Sequence, residues 1–407
     1  MADRKAVIIG GGITGALSAC ELLERGWDVT LLEGAHIGAG SSSRTAAGIR
    51  QQFSTPGTVH GMRYAVRFYK KFGEWSGQGN PAIVQNGYLF LYDDEEAWLE
   101  AVARLGVQRV AGLREVEALP RKELLAVFPW VGPQMIGGTY CPTDGFLHPD
   151  VVYNDAIAHA RRLGGEIIQK ARVSGAMRSN GRIVSVTTPK GLHQGDLYLD
   201  CTNAWSRRTS RLLGAEELHV DPLKRYLWFI KRSNAMSAST LSTMPLCIAP
   251  SGAYFRPENP DSLLMGKKHH TPPALGFDYE DQDIIEKGFS HKEGVDARPY
   301  DIWMEVAEAV PAIGDFDGVT ATTCGYYATT PDHNPFLGFD RNLRNLIRLV
   351  GFSGHGAMMG PFTALAAGTL ADAGEDTKYV VLDDGEEVKL KPFRVGRRFD
   401  NSETMVI

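Results

Sequence analysis

The start of the chain contains an apolar run, then apolar residues at helical spacing, then a second strand-like run, and together these predict a β-α-β unit. KAVII at 5–9 is a continuous apolar run that glycines end, which is typical of a buried parallel strand. Residues 13–25 carry apolar side chains at helical spacing and stop before Gly26. WDVTLLE at 27–33 then indicates a second strand. A strand, a helix and a second strand of these lengths make one parallel crossover.

The remaining pattern predicts more elements of both kinds. Helices are expected over about 57–75, 149–163 and 360–373, with surface helices within 94–128, and strands at 87–92, 166–174, 182–188, 196–201 and 345–352. Residues 220–300 alternate strands (226–230, 254–256, 263–265) with polar loops, which predicts a separate antiparallel sheet. Residues 34–56 are rich in Gly, Ser and Ala and suit a loop that meets a ligand.

Composition narrows the class of protein. A chain of 407 residues with 43% hydrophobic and 22% charged residues is globular and long enough for two domains. Its net charge of −5 and the lack of any Lys/Arg tract argue against nucleic acid or an anionic membrane as the main partner. The 5 cysteines are scattered without a CxxC pair, so we expect no metal site and a reducing, cytoplasmic location.

Two apolar segments, 6–20 and 349–371, resemble membrane segments in length only. Glycines interrupt the first, and the second contains Ser353, His355 and Pro361 besides several glycines. We therefore expect neither a membrane span nor a signal peptide.

The turn after the first strand carries the clearest chemistry. Gly10, Gly12 and Gly15 match GxGxxG, where glycines allow a tight turn, approach of the backbone to a pyrophosphate, and close contact of helix with strand. The helix that follows offers unpaired N–H groups to phosphates. Glu33 closes the second strand, where a carboxylate can accept hydrogen bonds from a ribose. The spacing predicts a dinucleotide site but leaves NAD and FAD open.

Motifs along almost the whole chain resemble one family. They are IIGGGITG at 8–15, SSSRTAAGIRQQFS at 41–54, NGYLFLY at 86–92, DGFLHPDVV at 144–152, NAWSRRTSRLLG at 203–214, TTPDHNPFLG at 329–338 and GFSGHGAMMGP at 351–361. In this order they resemble the flavin-dependent oxidoreductases related to D-amino acid oxidase, in the branch of glycine oxidase, sarcosine oxidase and the sarcosine oxidase β-subunit. The resemblance implies FAD rather than NAD.

The resemblance also implies a fold and its domain boundaries. We expect an α/β protein of the two-domain α+β kind, in which a Rossmann-like FAD-binding domain is interleaved with a substrate domain built on an antiparallel sheet. The FAD-binding domain would combine 1–86, 145–215 and 325–380, and the substrate domain 87–144 and 216–324. Residues 381–407 would form a C-terminal tail.

The resemblance assigns residues to the cofactor. Hydroxyls and a guanidinium at 41–44 suit a pyrophosphate, and the C-terminal glycine turn and its helix suit the flavin edge where reduction places charge. The predicted cofactor residues are Gly10, Gly12, Ile13, Thr14, Gly15, Glu33, Gly34, Ser42, Ser43, Arg44, Ala46, Ala47, Gly48, Ile49, Val173, Thr202, Asn203, Trp205, Gly325, Gly354, His355, Gly356, Ala357 and Met358.

Substrate residues follow from the family's chemistry, which is oxidation of a carbon that bears an amine by hydride transfer to flavin N5. An arginine is the natural partner of a substrate carboxylate, and Arg50 is the first candidate. Arg256 and Tyr254 share one face of a substrate-domain strand. Tyr327 precedes TTPD, and His355 lies in the glycine turn, where it either serves structure or touches the flavin. A serine nucleophile at Ser353 is disfavoured, because GxSxG would need glycine at 355.

Three positions depart from monomeric sarcosine oxidase. Met358 replaces its lysine in the C-terminal turn, and Leu264 replaces its oxygen-activating lysine, unless Lys267 or Lys268 takes over. The residue at the position of covalent flavin attachment is Gly325, with Cys324 beside it. Together the three differences argue against a copy of monomeric sarcosine oxidase, and the last one predicts a noncovalent FAD.

Several functions stay open on the sequence alone. The leading one is oxidation of an amine or amino acid, with O2 or an electron carrier as acceptor. Oxidation of a 2-hydroxy acid, a non-catalytic assembly flavoprotein, and a subunit of an oligomer or hetero-complex are the alternatives.

Overall fold

The computed structural model describes residues 4–267, 299–400 and 402–406. Its helices are α1 (Ile13–Glu24), α2 (Pro56–Lys70), α3 (Phe72–Ser76), α4 (Glu95–Val110), α5 (Arg121–Val127), α6 (Pro149–Arg162), α7 (Ser206–Leu213), α8 (Ala238–Thr243), α9 (Pro299–Ala309) and α10 (Gly356–Ala373).

The strands alternate with these helices along the chain. They are β1 (Lys5–Ile9), β2 (Asp28–Leu32), β3 (Gly48–Ile49), β4 (Ile83–Val84), β5 (Tyr88–Tyr92), β6 (Glu117–Pro120), β7 (Gly137–Cys141), β8 (Gly145–Leu147), β9 (Glu166–Ile168), β10 (Gly175–Ser179), β11 (Arg182–Thr188), β12 (Gly191–His193), β13 (Leu197–Asp200), β14 (Asp221–Lys231), β15 (Leu246–Ile248), β16 (Ala253–Asn259), β17 (Ser262–Lys267), β18 (Val319–Thr329), β19 (Phe336–Phe339), β20 (Leu346–Val350), β21 (Tyr379–Val381) and β22 (Glu387–Lys389).

The first large sheet is built from both ends of the chain. Within the described residues its strand order is β19-β20-β13-β1-β2-β9, and every neighbouring pair is parallel except β19 with β20. Apolar residues of α1, α2, α6 and α10 form one core cluster with strands of this sheet. The buried apolar strands β1 and β13 therefore lie at its centre, as in doubly wound α/β folds.

The second large sheet is almost entirely antiparallel. Its order within the described part of the chain is β18-β14-β17-β16-β15-β5-β7-β6, with one parallel pair between β15 and β5. Its own core includes Trp228, Phe255 and Trp303, so the two sheets have separate interiors. The expected mixed α/β fold is confirmed, and the domain boundaries stay a prediction; β18 itself runs across residue 325.

Four predicted elements differ from the structure. The helix expected over 57–75 divides at Lys71 into α2 and α3. The strand expected over 166–174 ends at Ile168, and the following residues form a loop. The region 94–128 contains strand β6 between its helices, and the last helix begins at Gly356 instead of near 360. Alternation and apolar runs mark an element but leave its ends to tertiary contacts.

Among the described residues, no helix is long and apolar enough to span a membrane. In the same part of the chain, no group of His, Cys, Asp and Glu is arranged to hold a metal ion.

Candidate active site

The glycine turn between β1 and α1 adopts a backbone that only glycine permits at two positions. Gly10 has a φ of +110°, and a Cβ there would lie 2.8 Å from the Cys201 carbonyl oxygen. A Cβ on Gly15 would lie 1.9 Å from the Gly10 carbonyl oxygen, so α1 can approach β1 only without a side chain at this position. The turn thus brings the start of α1 to the carboxyl end of β1.

Two side chains hold the open end of this turn. The Glu33 carboxylate accepts hydrogen bonds from the N–H of Gly11 at 2.7 Å and of Ala35 at 2.8 Å. The Ser42 hydroxyl accepts a hydrogen bond from the Ile13 N–H at 3.0 Å, which satisfies one of the unpaired groups of the helix start. Glu33 and Ser42 therefore fix the two sides of the cleft that the turn lines.

A cavity of about 1040 Å³ extends from this turn toward the second sheet. Its wall combines the turn, the end of β2, the loop at 39–45, the loop after β9, and the start of α10. Predicted cofactor residues that line it are Gly10, Gly12, Ile13, Thr14, Glu33, Gly34, Ser42, Arg44, Val173, Thr202, Asn203, Trp205, Gly354, Gly356 and Ala357.

A smaller cavity of about 40 Å³ adjoins the larger one. Tyr327, Gly354 and Ala357 line both cavities, so the two spaces are neighbours. Predicted residues on the smaller cavity are Ala46, Ala47, Gly48, Arg50, Tyr254, Tyr327, His355 and Met358, together with the unpredicted Tyr88, Leu246 and Val406. Its wall thus contains most of the residues expected near a flavin ring and a substrate.

Five predicted residues line neither cavity. Gly15 faces the Gly10 carbonyl, and Gly325 packs against the Arg44 backbone. Ser43 donates a hydrogen bond to the Gly40 carbonyl at 3.4 Å, and Ile49 lies in the first core cluster. The fifth is Arg256.

The Arg256 side chain contacts two backbone carbonyls and one carboxylate of its own chain. It donates hydrogen bonds to the carbonyl oxygens of Ala46 and Pro257, both at 2.7 Å, and forms an ion pair with Glu258 at 2.6 Å. Burial lowers the pKa of its guanidinium. Arg256 therefore connects the second sheet to the loop at 46 and lines neither cavity, and its role as a substrate residue stays a prediction.

Arg50 is a buried guanidinium that faces the smaller cavity. It donates hydrogen bonds to the carbonyl oxygens of Gln52, at 3.1 Å, and Met405. Its guanidinium carbon lies 4.3 Å from the centre of the Phe53 ring. An arginine has five N–H donors, and no carboxylate pairs with this one among the described residues. Its positive charge is therefore uncompensated beside the cavity.

His355 is neutral at physiological pH. Burial, followed by the charges of Arg50 and His333, lowers the pKa of its imidazole to about 3. Its Nε2 atom has no hydrogen-bond partner in the described residues, and its ring meets Phe53 edge-on with centroids 5.6 Å apart. His355 thus adds no charge to the site and is a weak base.

Tyr254 lies close to Tyr327 and Arg225. Burial, followed by the neighbouring Tyr327, raises the pKa of the Tyr254 phenol well above its usual value, while the Arg225 charge acts in the opposite direction. The phenol therefore remains protonated and can donate a hydrogen bond into the cavity that it lines.

Sequence reasoning missed Arg225, which lies on β14 opposite Gly325 of β18. Its side chain is buried, its guanidinium carbon is 5.1 Å from the centre of the Tyr327 ring, and neither Nε nor Nη1 meets an acceptor among the described residues. A charged residue inside the apolar strand LKRYLWFI was the available signal. Arg225 lines neither cavity and approaches them only through the Tyr327 ring, so it is a source of positive charge near the smaller cavity.

Asp144 was missed as well, although it begins the quoted motif DGFLHPDVV. Its buried carboxylate accepts hydrogen bonds from the N–H of Gln51 at 2.9 Å, the Gln51 amide at 2.9 Å and the Gln52 amide at 3.2 Å. Burial raises its pKa to about 6, although those hydrogen bonds oppose the shift. Asp144 fixes the loop on which Arg50 stands.

Lys267 forms an ion pair with Glu305 at 2.6 Å and lines neither cavity. Lys268 lies outside the described residues.

Comparisons with known proteins find a family model, related sequences and solved structures that match the chain. A family model described as DAO, FAD dependent oxidoreductase, matches residues 5–370. The chain is 28% identical to FAD-dependent oxidoreductase domain-containing protein 1 of Xenopus laevis, over 89% of this chain and 78% of that protein.

Solved structures share the fold. L-proline dehydrogenase from P. horikoshii superposes with a TM-score of 0.80 and 27% identity, over 91% of this chain and 94% of that one. Glycine oxidase from Geobacillus kaustophilus superposes with a TM-score of 0.78 and 22% identity, over 97% and 99% of the two chains.

Proposed function

Because the chain belongs to the DAO family of FAD-dependent oxidoreductases, we propose that it oxidises the C–N bond of an amino acid or N-substituted amino acid whose carboxylate binds to Arg50. The observation that carries this proposal is the buried Arg50 guanidinium, which borders the smaller cavity without a carboxylate partner among the described residues. L-proline dehydrogenase and glycine oxidase, which share the fold, are named for amino acids.

The larger cavity fits FAD in shape and in donors. Its volume of about 1040 Å³ lies just above the range of about 300–1,000 Å³ for pockets of drug-sized ligands, which suits a ligand as large as a dinucleotide. A Cβ on Gly12 would lie 2.8 Å from the Ser42 Oγ atom, so a larger residue there would displace the hydroxyl that accepts the Ile13 N–H hydrogen bond. We infer that the turn, Ser42 and Arg44 hold the pyrophosphate, that Glu33 binds the ribose, and that the start of α10 meets the flavin.

Bound FAD would supply the acceptor for the two electrons and the hydrogen that leave the substrate carbon as a hydride. The chain's own residues would select and orient the substrate. Arg50 would bind the carboxylate with N–H groups that Gln52 and Met405 leave unused. Arg225 would add positive charge from the Tyr327 side.

The charges around the smaller cavity also favour the reactive form of the substrate. Arg50 and Arg225 are cationic, while His355 is neutral because its pKa is lowered to about 3. Two guanidinium charges stabilise a carboxylate and oppose an ammonium nearby. The amine would therefore bind with its nitrogen lone pair available, and loss of hydride from the carbon would yield an iminium ion, which becomes an imine when its N–H proton passes to water.

Anaerobic mixing of the yellow protein with matched compounds tests the substrate class. We expect amino acids or N-methyl amino acids to bleach the flavin absorption, and the corresponding 2-hydroxy acids to leave it unchanged. Repeating the active compound in air then separates O2 from an electron carrier as the acceptor. If only 2-hydroxy acids bleach the flavin, the protein oxidises a C–O–H group instead of a C–N bond. If no compound bleaches it, a non-catalytic flavoprotein is favoured.

A further inference from the structure

Residues 402–406, which we call the strap, are anchored by a buried carboxylate. The Glu403 side chain is fully buried. It accepts hydrogen bonds from the N–H and hydroxyl of Ser54, at 2.8 and 2.6 Å, and from the N–H and hydroxyl of Thr55, at 3.1 and 2.9 Å. Thr55 is the N-cap residue of α2, where a negative charge is favourable. Glu403 thus binds the strap to the start of α2.

Backbone hydrogen bonds fix the direction of the strap on both sides of Glu403. The Glu403 N–H donates to the Asp332 carbonyl at 2.9 Å, and the Thr404 N–H donates to the Ser54 hydroxyl at 3.0 Å. The Met405 N–H returns to the Glu403 carboxylate at 3.0 Å. Asp332 is itself paired with Arg397 at 2.7 Å. The position of the next residue, Val406, is therefore determined by this anchor.

The anchored strap ends in the smaller cavity. The Met405 carbonyl accepts a hydrogen bond from Arg50, and Val406 lines the cavity together with Tyr254 and Tyr327. Arg50 is the arginine that lines this cavity, and it has no ion pair within the described residues. By binding Arg50, the strap contributes to the cavity as well as to the fold.

We propose that the strap is a part of the substrate site. The Met405 carbonyl orients the Arg50 guanidinium, Val406 limits the bulk of the substrate next to the carboxylate, and Glu403 is the positioning residue that holds both. This inference rests on the proposed function, because it assigns the smaller cavity, whose volume of about 40 Å³ suits a carboxylate group, to the carboxylate end of the substrate.

Val406 is tested by ligand binding to the FAD-loaded protein. Acetate, butyrate and hexanoate are titrated while the visible flavin spectrum is followed, for wild type, Val406→Ala and Val406→Phe. One methylene in an apolar pocket changes affinity about 10-fold or more. We expect Val406→Ala to raise the affinity for hexanoate relative to acetate about 10-fold and Val406→Phe to lower it, while Val381→Ala, at an exposed valine of β21, behaves as wild type.

Glu403→Gln tests the anchor. It keeps the side-chain shape but loses the charge, so we expect faster amide hydrogen exchange in 402–406 and about 10-fold weaker acetate binding at unchanged flavin content. The control Glu387→Gln changes an exposed glutamate of β22.

The outcomes separate this inference from the proposed function. If Arg50→Met abolishes the spectral response to carboxylates while every Val406 and Glu403 variant matches wild type, the strap is no part of the site and the proposed function stands. If no carboxylate perturbs the wild-type flavin, both are wrong.

A second inference concerns the outer face of α4, which is independent of the active site. Leu99, Val102, Val107 and Val110 are 60%, 39%, 38% and 88% exposed, and the exposed Ala103 and Gly106 lie between them at helical spacing. An exposed apolar stripe of this kind marks an interaction surface.

The charges around the stripe complement those of a second copy. Within one chain Glu100 lies 3.6 Å from Arg104, and Arg109 donates a hydrogen bond to the Val116 carbonyl at 3.2 Å. If two α4 helices pair antiparallel across a two-fold axis with Ala103 against Gly106, then Glu100 of one copy can turn from Arg104 to Arg109 of the other, and Leu99 faces Val110. Such a two-fold contact is self-complementary. We infer that α4 forms the interface of a homodimer.

Light scattering after size exclusion tests this interface. We expect the wild type at about 50 μM to be a dimer, far above a micromolar dissociation constant, and Val107→Glu to be a monomer. Leu192→Glu, at another exposed apolar residue, should remain a dimer. Glu100→Arg should weaken the dimer and Glu100→Arg/Arg109→Glu should restore it. A monomeric wild type, or a Val107→Glu dimer, would overturn the inference.

Discussion

At the scale of single residues, the site is defined by buried groups whose charge or hydrogen bonds are incomplete. Arg50 and Arg225 are buried cations, and no acidic partner pairs with either among the described residues. His355 Nε2 also has no partner there. Such groups lower the stability of the ligand-free protein and are retained where a ligand completes them.

We expect Arg225→Met to stabilise the protein and to weaken the binding of a carboxylate. Methionine packs well against an aromatic ring. Replacing even a buried ion pair with well-packed apolar side chains is often neutral or stabilising by about 1–4 kcal/mol, so removing an unpaired buried charge should also stabilise the protein. We expect a higher melting temperature of the ligand-free FAD complex together with weaker binding of acetate. Arg211→Met, at an exposed arginine paired with Glu217, is the control. A lower melting temperature with unchanged binding would instead assign Arg225 to the fold.

Asp144 is expected to make the free energy of unfolding depend on pH. Its pKa is raised from 3.8 to about 6 by burial, so the folded state binds its proton more tightly than the unfolded state does. The contribution of Asp144 is therefore largest below about pH 4 and is lost as the pH rises through about 6, by about 2–3 kcal/mol in all. We expect the free energy of unfolding of wild type, minus that of Asp144→Asn, to fall between pH 4 and 6 in urea titrations. A difference that rises over this interval would contradict a pKa of Asp144 that burial raises.

At the scale of elements, the sequence predicts best those helices, strands and turns whose structure depends on residues close to them in the sequence. The β1-α1-β2 unit and its glycine turn follow from apolar spacing and from Gly10, Gly12 and Gly15. Arg225 could not be placed in this way, because it reaches Tyr327 only through the pairing of β14 with β18. The strap could not be placed either, since Glu403 binds to residues at the opposite end of the sequence, Ser54 and Thr55.

Gly15→Ala should disrupt the junction of α1 with β1. The added Cβ would lie 1.9 Å from the Gly10 carbonyl oxygen, which belongs to the backbone and cannot rotate away. We expect a loss of about 2–4 kcal/mol in the free energy of unfolding, measured with urea, and a loss of bound flavin. Gly57→Ala in α2 is the matched control, because its Cβ would meet Phe393 at an ordinary 3.8 Å. Equal stability of the two variants would show that α1 does not pack as closely as described.

At the scale of the whole molecule, the walls of the larger cavity come from distant parts of the chain. Residues near both ends, from Gly10 to Ala357, line it, and Tyr327 on the second sheet joins it to the smaller cavity. A ligand that binds only the folded state stabilises it by mass action. FAD is therefore expected to hold the two sheets together as well as to supply the redox chemistry.

Acid denaturation is expected to release the flavin. Cys324, beside the position of covalent attachment in relatives, is buried in the core of the second sheet and lines neither cavity. We expect all yellow colour in the supernatant after acid precipitation, and a lower melting temperature of the flavin-free protein. Flavin fluorescence that migrates with the denatured chain would mean covalent attachment.

We propose that Arg50 binds the carboxylate of an amine substrate. Removing the carboxylate and the arginine in turn tests this proposal. The measurement is the rate of anaerobic flavin reduction at low substrate, for wild type, Arg50→Lys and Arg50→Met, with an N-methyl amino acid that reduces the wild type and with the plain amine that lacks its carboxylate. Truncating one partner of a buried charge pair costs about 2–5 kcal/mol, or about thirty- to several-thousand-fold. We expect Arg50→Met to lose this factor with the amino acid, Arg50→Lys to fall between, and all three to reduce equally slowly with the plain amine at equal flavin content. Equal losses with both compounds, or none with the amino acid, would contradict the claim.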